Sequence, residues 1–352
     1  MMTDREPSAF LPDLKTFLLA ISPVILVWLP VLLLHLTLVL FAGLITYTFT
    51  RAIANSIRQS KQMPTFFGKF HANNRAEMVA IAVIVALISL ATYLFGDWMM
   101  AKANVMVLNR LLEQLMSIIE QLHTLLPFSI SQYLPISDYE FKEMLLRTAK
   151  QHAPQLQTLG VHTLRGVGYF VIGIAIGAIM ALQIPSTLPL TAKPFLHHMR
   201  QRFDELITGF SDVFFAQVKI SSINTILTSV YLLGILPMIG HPLPMSWTVV
   251  LITFLAGLIP VVGNLFSNVV IVTLSLTHGL MVSVLSLTWL VAIHKLEYFL
   301  NAQIIGTKIR ATAWELLLFM LVLEATFGLA GLISAPVIYA QIKRILHNRG
   351  WV

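Results

Sequence analysis

The sequence predicts an all-α, polytopic helical membrane protein. Three observations predict it. Of 352 residues, 57% are AVILMFWYC and only 11% are DEKR, against roughly 25% charged residues in an ordinary soluble domain. Mean hydropathy is +0.81. The apolar residues also come in long runs, several of them long enough to cross a bilayer. This balance excludes a soluble globular enzyme, a disordered chain and a nucleic-acid-binding domain. The formal net charge of +7 comes from only 23 Lys and Arg spread over the chain. It reads as topogenic loop charge. There are no cysteines, hence no disulfides, no thiolate metal site and no Cys nucleophile.

Met1–Asp13 mixes Arg5 with Asp4, Glu6 and Asp13. It lacks the basic start, short apolar core and cleavage site of a secretory signal, so the first apolar run is expected to be retained. That run, Phe17–Thr50, would make a helix of ~51 Å, too long for one crossing of a hydrocarbon core of ~30 Å. Two helices joined tightly around Pro30 fit better. A basic loop, 51–77, carries Arg51, Arg58, Lys61, Lys69 and Arg75 against one acid, Glu77. Met78–Gly96 is a clean span. The excursion 97–163 has a heptad-spaced stripe from Leu108 to Leu126 and a capping-box pattern, Ser137 to Glu140. It reads as a helical hairpin.

Leu164–Ile184 is the next span, ended by Pro185 and Pro189; Gly173 and Gly177 give it small-xxx-small spacing. Thr191–Lys219 is amphipathic. Leu196, Met199, Phe203, Leu206, Phe210 and Val213 share one face, and His197-His198 belongs to its basic side. Further apolar segments follow at 222–239, 245–260, 261–276, 279–299 and 314–339, for about 7–8 membrane segments in all.

These segments give the expected organisation. Residues 1–96 are N-terminal membrane helices with the cytoplasmic loop 51–77. Residues 97–163 form an extracytoplasmic helical hairpin, and 164–190 a membrane helix. Residues 191–221 form a cytoplasmic interfacial helix, 222–345 a C-terminal transport core and 346–352 a cytoplasmic tail. The Lys/Arg bias of the short loops puts both termini in the cytoplasm.

Two interruptions in the C-terminal half carry the chemistry. Pro260, Gly263 and Asn264 break one apolar run, and Gly328, Gly331 and Pro336 break another. Backbone freed at membrane depth must be buried in protein or line a cavity, and paired broken segments point to a transport site. A simple proline kink between ordinary spans is the other reading. Glu324 lies inside the last apolar stretch, where a carboxylate faces a cavity or partner. His294 and Glu297 share a helix face at i, i+3, with Asn301 beyond them; they could relay a proton or anchor the helix at the interface. Asn224 and Thr228, one turn apart, could line a hydrophilic path or hydrogen-bond between helices. No catalytic dyad, nucleotide motif, metal set or cofactor motif is present, so an enzyme is not expected.

Leu258–Asn264, Glu297 with Asn301–Gly306, Phe327-Gly328-x-x-Gly331 with Ala335-Pro336, and Phe210 through Thr228 resemble blocks of the autoinducer-2 exporter family. The resemblance covers nearly the whole chain and is strongest over 203–345. It implies a bacterial inner-membrane transporter that assembles as a homo-oligomer and acts as an exporter of a small solute, such as a signal molecule or organic acid, or as a cation/proton antiporter. The chain departs from the family pattern at Ala302, Ala313-Trp314 and Glu324-Ala325, within the substrate region, so the family's substrate does not carry over.

The expectation is therefore a secondary-active transporter of a small solute or monovalent cation, surrounded by membrane lipid, with no nucleic-acid partner and no cofactor. Glu324, Glu297 and His294 would couple transport to protons, and the two breaks would form the site. The alternatives are an oligomeric channel or passive pore, and a non-transporting scaffold acting through the 97–163 hairpin.

Overall fold

The computed structural model describes residues 14–59, 75–102, 137–184, 193–243, 245–259, 262–276, 278–309 and 312–351, with a few positions between 116 and 135. Among these residues there are helices and no strands. The helices are α1 (Leu14–Leu33), α2 (Thr37–Gln59), α3 (Arg75–Lys102), α4 (Asp138–Gln151), α5 (Ala153–Gln183) and α6 (Pro194–Ser229). A π-helical segment (Val230–Ile235) leads into the short α7 (Leu236–Met238). Then come α8 (Ser246–Gly257), α9 (Val262–Leu276), α10 (Leu280–Ile309) and α11 (Ala313–Asn348).

Among the described residues, five helical segments are long and apolar enough by length and composition to cross a membrane: Lys15–Leu33, Thr37–Gln59, Val161–Gln183, Pro194–Met238 and Trp314–Asn348, the last of them kinked at Gly328. Ser246–Gly257, Gly263–Leu276 and Leu280–Leu296 are shorter apolar helices. The chain forms two compact units. One comprises Met1–Thr48, Ile172–Ile220 and Tyr298–Val352; the other comprises Phe49–Val171 and Ser221–Glu297.

In the first unit, the 17–50 run is two helices, and the break falls later than Pro30. Pro30 stays within α1, and the chain turns at Leu34–Leu36, where His35 adopts φ 55° and Leu36 N–H closes back on Val31 O at 2.8 Å. This is a Schellman-type end, with a histidine where glycine is usual. Ala20, Val24, Trp28 and Leu32 repeat at one face of α1 and meet Leu206, Phe210 and Val213 of α6 and Val337, Ile338 and Ile345 of α11 in one core. Trp28 Nε1 donates to Gln341 Oε1 at 2.8 Å, which satisfies the indole inside that core. Gly43 of α2 meets Gly173 and Gly177 of α5 backbone to backbone. A Cβ on Gly177 would stand 2.2 Å from Gly43 O, so the small-xxx-small spacing serves close packing.

The α11 helix is folded on itself. Gly328 has φ 61° and ψ −146°, a conformation open to glycine alone. On either side, Gly331 lies against Leu323 (a Cβ there would be 2.0 Å from its carbonyl oxygen). Phe319 and Tyr339 meet edge to face with ring centres 5.5 Å apart, and Lys343 Nζ lies 3.4 Å from Glu315 Oε2. Tyr339 Oη also donates to Glu315 Oε2. Partners at 323/331, 319/339 and 315/343 define an antiparallel helical hairpin. Thr312 and Glu315 cap its entry reciprocally. Its first limb, residues 313–327, is ~22 Å long at 1.5 Å per residue, short of a crossing of ~30 Å.

In the second unit, the single acid of the basic loop pins α2 to α3. Glu77, fully buried, accepts from Arg51 at 2.8 Å and Arg58 at 2.5 Å. Ser137 caps α4, its Oγ accepting the Glu140 N–H at 3.2 Å. The Leu108–Leu126 stripe lies outside the described residues but for a few positions. Tyr231, Leu232, Leu236, Leu243, Val249, Ile271, Val282 and Leu290 make this unit's main core.

The α6 helix, with its π segment and α7, runs unbroken from Pro194 to Met238, through residue 221. A helix of 45 residues is ~67 Å long, more than twice a hydrocarbon core of ~30 Å, and Arg200, Arg202, Asp204 and Glu205 fall in its first half. Within the amphipathic stripe, Leu206, Phe210 and Val213 are buried, whereas Leu196 and Met199 are exposed. The helix widens to π before Pro237. Pro237 has no N–H to return to Leu233, and Leu236 N–H instead reaches Tyr231 O, five residues back.

Candidate functional site

The second unit brings four of the sequence-predicted residues together. The break after α8 turns the chain at Leu258 and Ile259, and α9 returns along α8. Gly263 makes that return possible, since a Cβ there would lie 1.6 Å from Ala256 O. Gly257 is also constrained, though less tightly, its missing Cβ lying 2.6 Å from the side-chain Oγ of Ser221. Pro260 lies outside the described residues.

Against this hairpin lies the polar face of α6. Ser221, Asn224 and Thr228 follow at i, i+3 and i+7, all buried on one side of the helix. Ser221 Oγ donates to Phe254 O of α8 at 2.7 Å. Asn224 Nδ2 donates to Asn264 Oδ1 of α9 at 2.9 Å. Asn224 and Asn264 are 7% and 4% exposed, so this amide pair sits in the interior. Ser267 Oγ, one turn on, donates to Asn264 O at 3.1 Å. The hydroxyls of Thr225 and Thr228 are buried in the same stretch with no hydrogen-bond partner among the described residues. A hydroxyl buried unpaired costs roughly 1–3 kcal/mol, which a polar guest would recover. The cluster is neutral throughout. It offers amide and hydroxyl donors and acceptors and no carboxylate, so it can hydrogen-bond a polar solute or solvate a monovalent cation but holds no titrating charge.

One step further along the same face, Tyr231 Oη meets Ser286 Oγ of α10 at 2.8 Å, and Ser286 Oγ meets Ser275 Oγ of α9 at 2.6 Å. Ser275 Oγ donates to Ile271 O at 2.8 Å. Tyr231 stacks on Trp289 at 5.1 Å. This hydroxyl chain has no counterpart among the sequence predictions. The available signal was two serines interrupting otherwise apolar helices at one end of a hairpin.

The remaining predicted residues belong to α10 and α11. His294 is exposed on α10. Glu297 and Asn301 occupy α10 positions whose side chains lie outside the described residues. Glu324, Gly328, Gly331 and Pro336 belong to α11 in the first unit. Glu324 is exposed, one turn before the Gly328 fold, and has no bonded partner among the described residues. Gly331 and Pro336 are buried in the second limb, beside Ser334, whose hydroxyl is buried without a partner among the described residues. No group of three metal-ligating side chains occurs among the described residues.

A family model described as AI-2E family transporter matches residues 17–349, nearly the whole chain. No match is found among curated proteins or among solved structures.

Proposed function

Because the chain belongs to the AI-2E transporter family, a family of membrane transporters, we propose that it exports a small polar solute across the bacterial inner membrane. The passage is at the break between α8 and α9. The observation that carries this reading is the buried Asn224–Asn264 pair, set at a helix break beside two unpartnered threonine hydroxyls. Interior polar groups at a discontinuous helix match the binding-site logic of secondary transporters. In this reading α8–α9 and α11 are re-entrant hairpins, both termini are cytoplasmic, and the protein works as a homo-oligomer. Glu324, Glu297 and His294 couple transport to protons, since the cluster itself has no titrating group.

Flux into proteoliposomes tests the proposal. Asn264→Leu and Thr228→Val are each expected to lower solute flux at least tenfold while the protein still inserts and stays monodisperse. Saturable flux that follows a proton gradient supports secondary-active export. Full flux in both variants overturns the site, and ohmic single-channel current in place of saturation overturns the mechanism in favour of a pore.

A further inference from the structure

Two histidines outside the transport cluster meet at one end of the second unit. His241 follows α7, and His278 lies in the turn between α9 and α10. Their rings are 5.7 Å apart centre to centre, inclined at 65°. Both are half-buried and open to solvent, and among the described residues no hydrogen bond occupies a ring nitrogen of either. Each is held by a glycine turn. Gly240 (φ 83°) lets His241 N–H close on Leu236 O at 2.9 Å, and Gly279 (φ 100°) follows His278, whose N–H closes on Ser275 O at 3.1 Å. The two backbones are thus held by turns, with the rings side by side.

We propose that His241 and His278 form a two-imidazole site for a transition-metal dication, zinc foremost. Two imidazoles bound to one zinc, at about 2.0–2.1 Å per nitrogen, hold their ring centres roughly 5–6 Å apart, the separation seen here. Imidazole selects zinc, copper and nickel over magnesium and calcium, which take oxygen ligands. With two protein ligands, water completes the coordination, so the ion exchanges; a structural site would close with four.

The consequence lies in what the ion would join. The turn carrying His241 ends the π segment and α7. The turn carrying His278 begins at Ser275, which reaches Tyr231 at the other end of the π segment through Ser286. Zinc across the two rings fastens the π segment to the α9–α10 turn at both ends. It acts as a reversible brake on any motion that separates them.

The test uses the full-length protein in detergent, titrated with zinc chloride alone. One zinc per chain is expected by equilibrium dialysis, with a rise of a few degrees in melting temperature. His241→Gln and His278→Gln should each lower apparent affinity at least tenfold, while the double variant His197→Gln/His198→Gln and a magnesium control should leave it unchanged. X-ray absorption on the zinc-loaded wild type should show two imidazoles, a readout that survives a failure of either variant to fold. Zinc retained in both single variants, zinc lost in the His197/His198 variant, or any imidazole count other than two overturns the proposal.

Discussion

The α8–α9 hairpin and the α11 hairpin use the same backbone device for different ends. In each, a glycine placed just after the fold lies against the carbonyl of the incoming limb: Gly263 against Ala256, and Gly331 against Leu323. In each, the incoming limb, 246–257 or 313–327, is shorter than a membrane crossing of ~30 Å. What differs is what holds the hairpin. The α8–α9 hairpin is fastened to a neighbouring helix by interior hydrogen bonds, Ser221 to Phe254 O and Asn224 to Asn264. The α11 hairpin is fastened to itself at its open end, by Glu315, Tyr339 and Lys343, while its tip carries Leu321, Val322, Glu324 and Leu329 outward. The first is built to enclose polar groups. The second is built to display a carboxylate from an apolar surface.

The largest expected effect comes from filling the glycine contacts. Gly263→Ala should destabilise at or above the upper end of the about 1–3 kcal/mol typical of overpacking, because the clashing atom is backbone and cannot rotate away. Gly331→Ala should follow closely, with a Cβ 2.0 Å from its obstacle against 1.6 Å at Gly263. Thermal melts in detergent check both, and a variant at either position that melts like the wild type breaks the hairpin comparison.

Next comes Asn264→Leu, which leaves the Asn224 amide buried without its partner and should cost about 1–3 kcal/mol. The double variant Asn224→Leu/Asn264→Leu should recover part of that loss, and a double-mutant cycle measures how much of the first hairpin's hold is this one bond. A smaller melting shift is expected for Tyr339→Phe, since Glu315 is reached by solvent and retains Lys343. Added salt should narrow the gap between Tyr339→Phe and the wild type less than it lowers both. Glu324→Gln should shift the melting temperature least, since Glu324 makes no hydrogen bond or ion pair among the described residues. Its proton-coupled flux should nevertheless fall if Glu324 couples transport. Unchanged coupling in both Glu324→Gln and Glu297→Gln removes that role from these carboxylates.

Much of this architecture was legible in the residues. Glycine and proline punctuation at 258–264 and 327–336 announces a break, because no other residues free the backbone as these do. Apolar run length separates one crossing from two, as at 17–50. The exact turn there was not legible: Pro30 is tolerated near the end of α1, and His35 takes a left-handed conformation that local sequence does not announce. The continuity of α6 through residue 221 was hidden by composition, which changes from amphipathic to apolar while the helix does not. Of the site, Asn224, Thr228, Gly263 and Asn264 were visible as polar or small residues in apolar company. The Tyr231–Ser286–Ser275 chain and the Glu315–Tyr339–Lys343 clasp were not, because pairing across 11 to 55 positions depends on how helices fold back, and periodicity within one helix carries no record of it.

That hydroxyl chain has a polarity. Ser275 has one proton and gives it to Ile271 O. It must therefore accept from Ser286, and Ser286 in turn must accept from Tyr231. Every rotor in the series points the same way, and the last acceptor is a peptide carbonyl with nothing to pass on. A proton entering at Tyr231 has no exit, so the series cannot serve as a conduit. It behaves as a one-way clasp: turning any one hydroxyl requires turning the others, and the π segment, α9 and α10 are released together or stay joined.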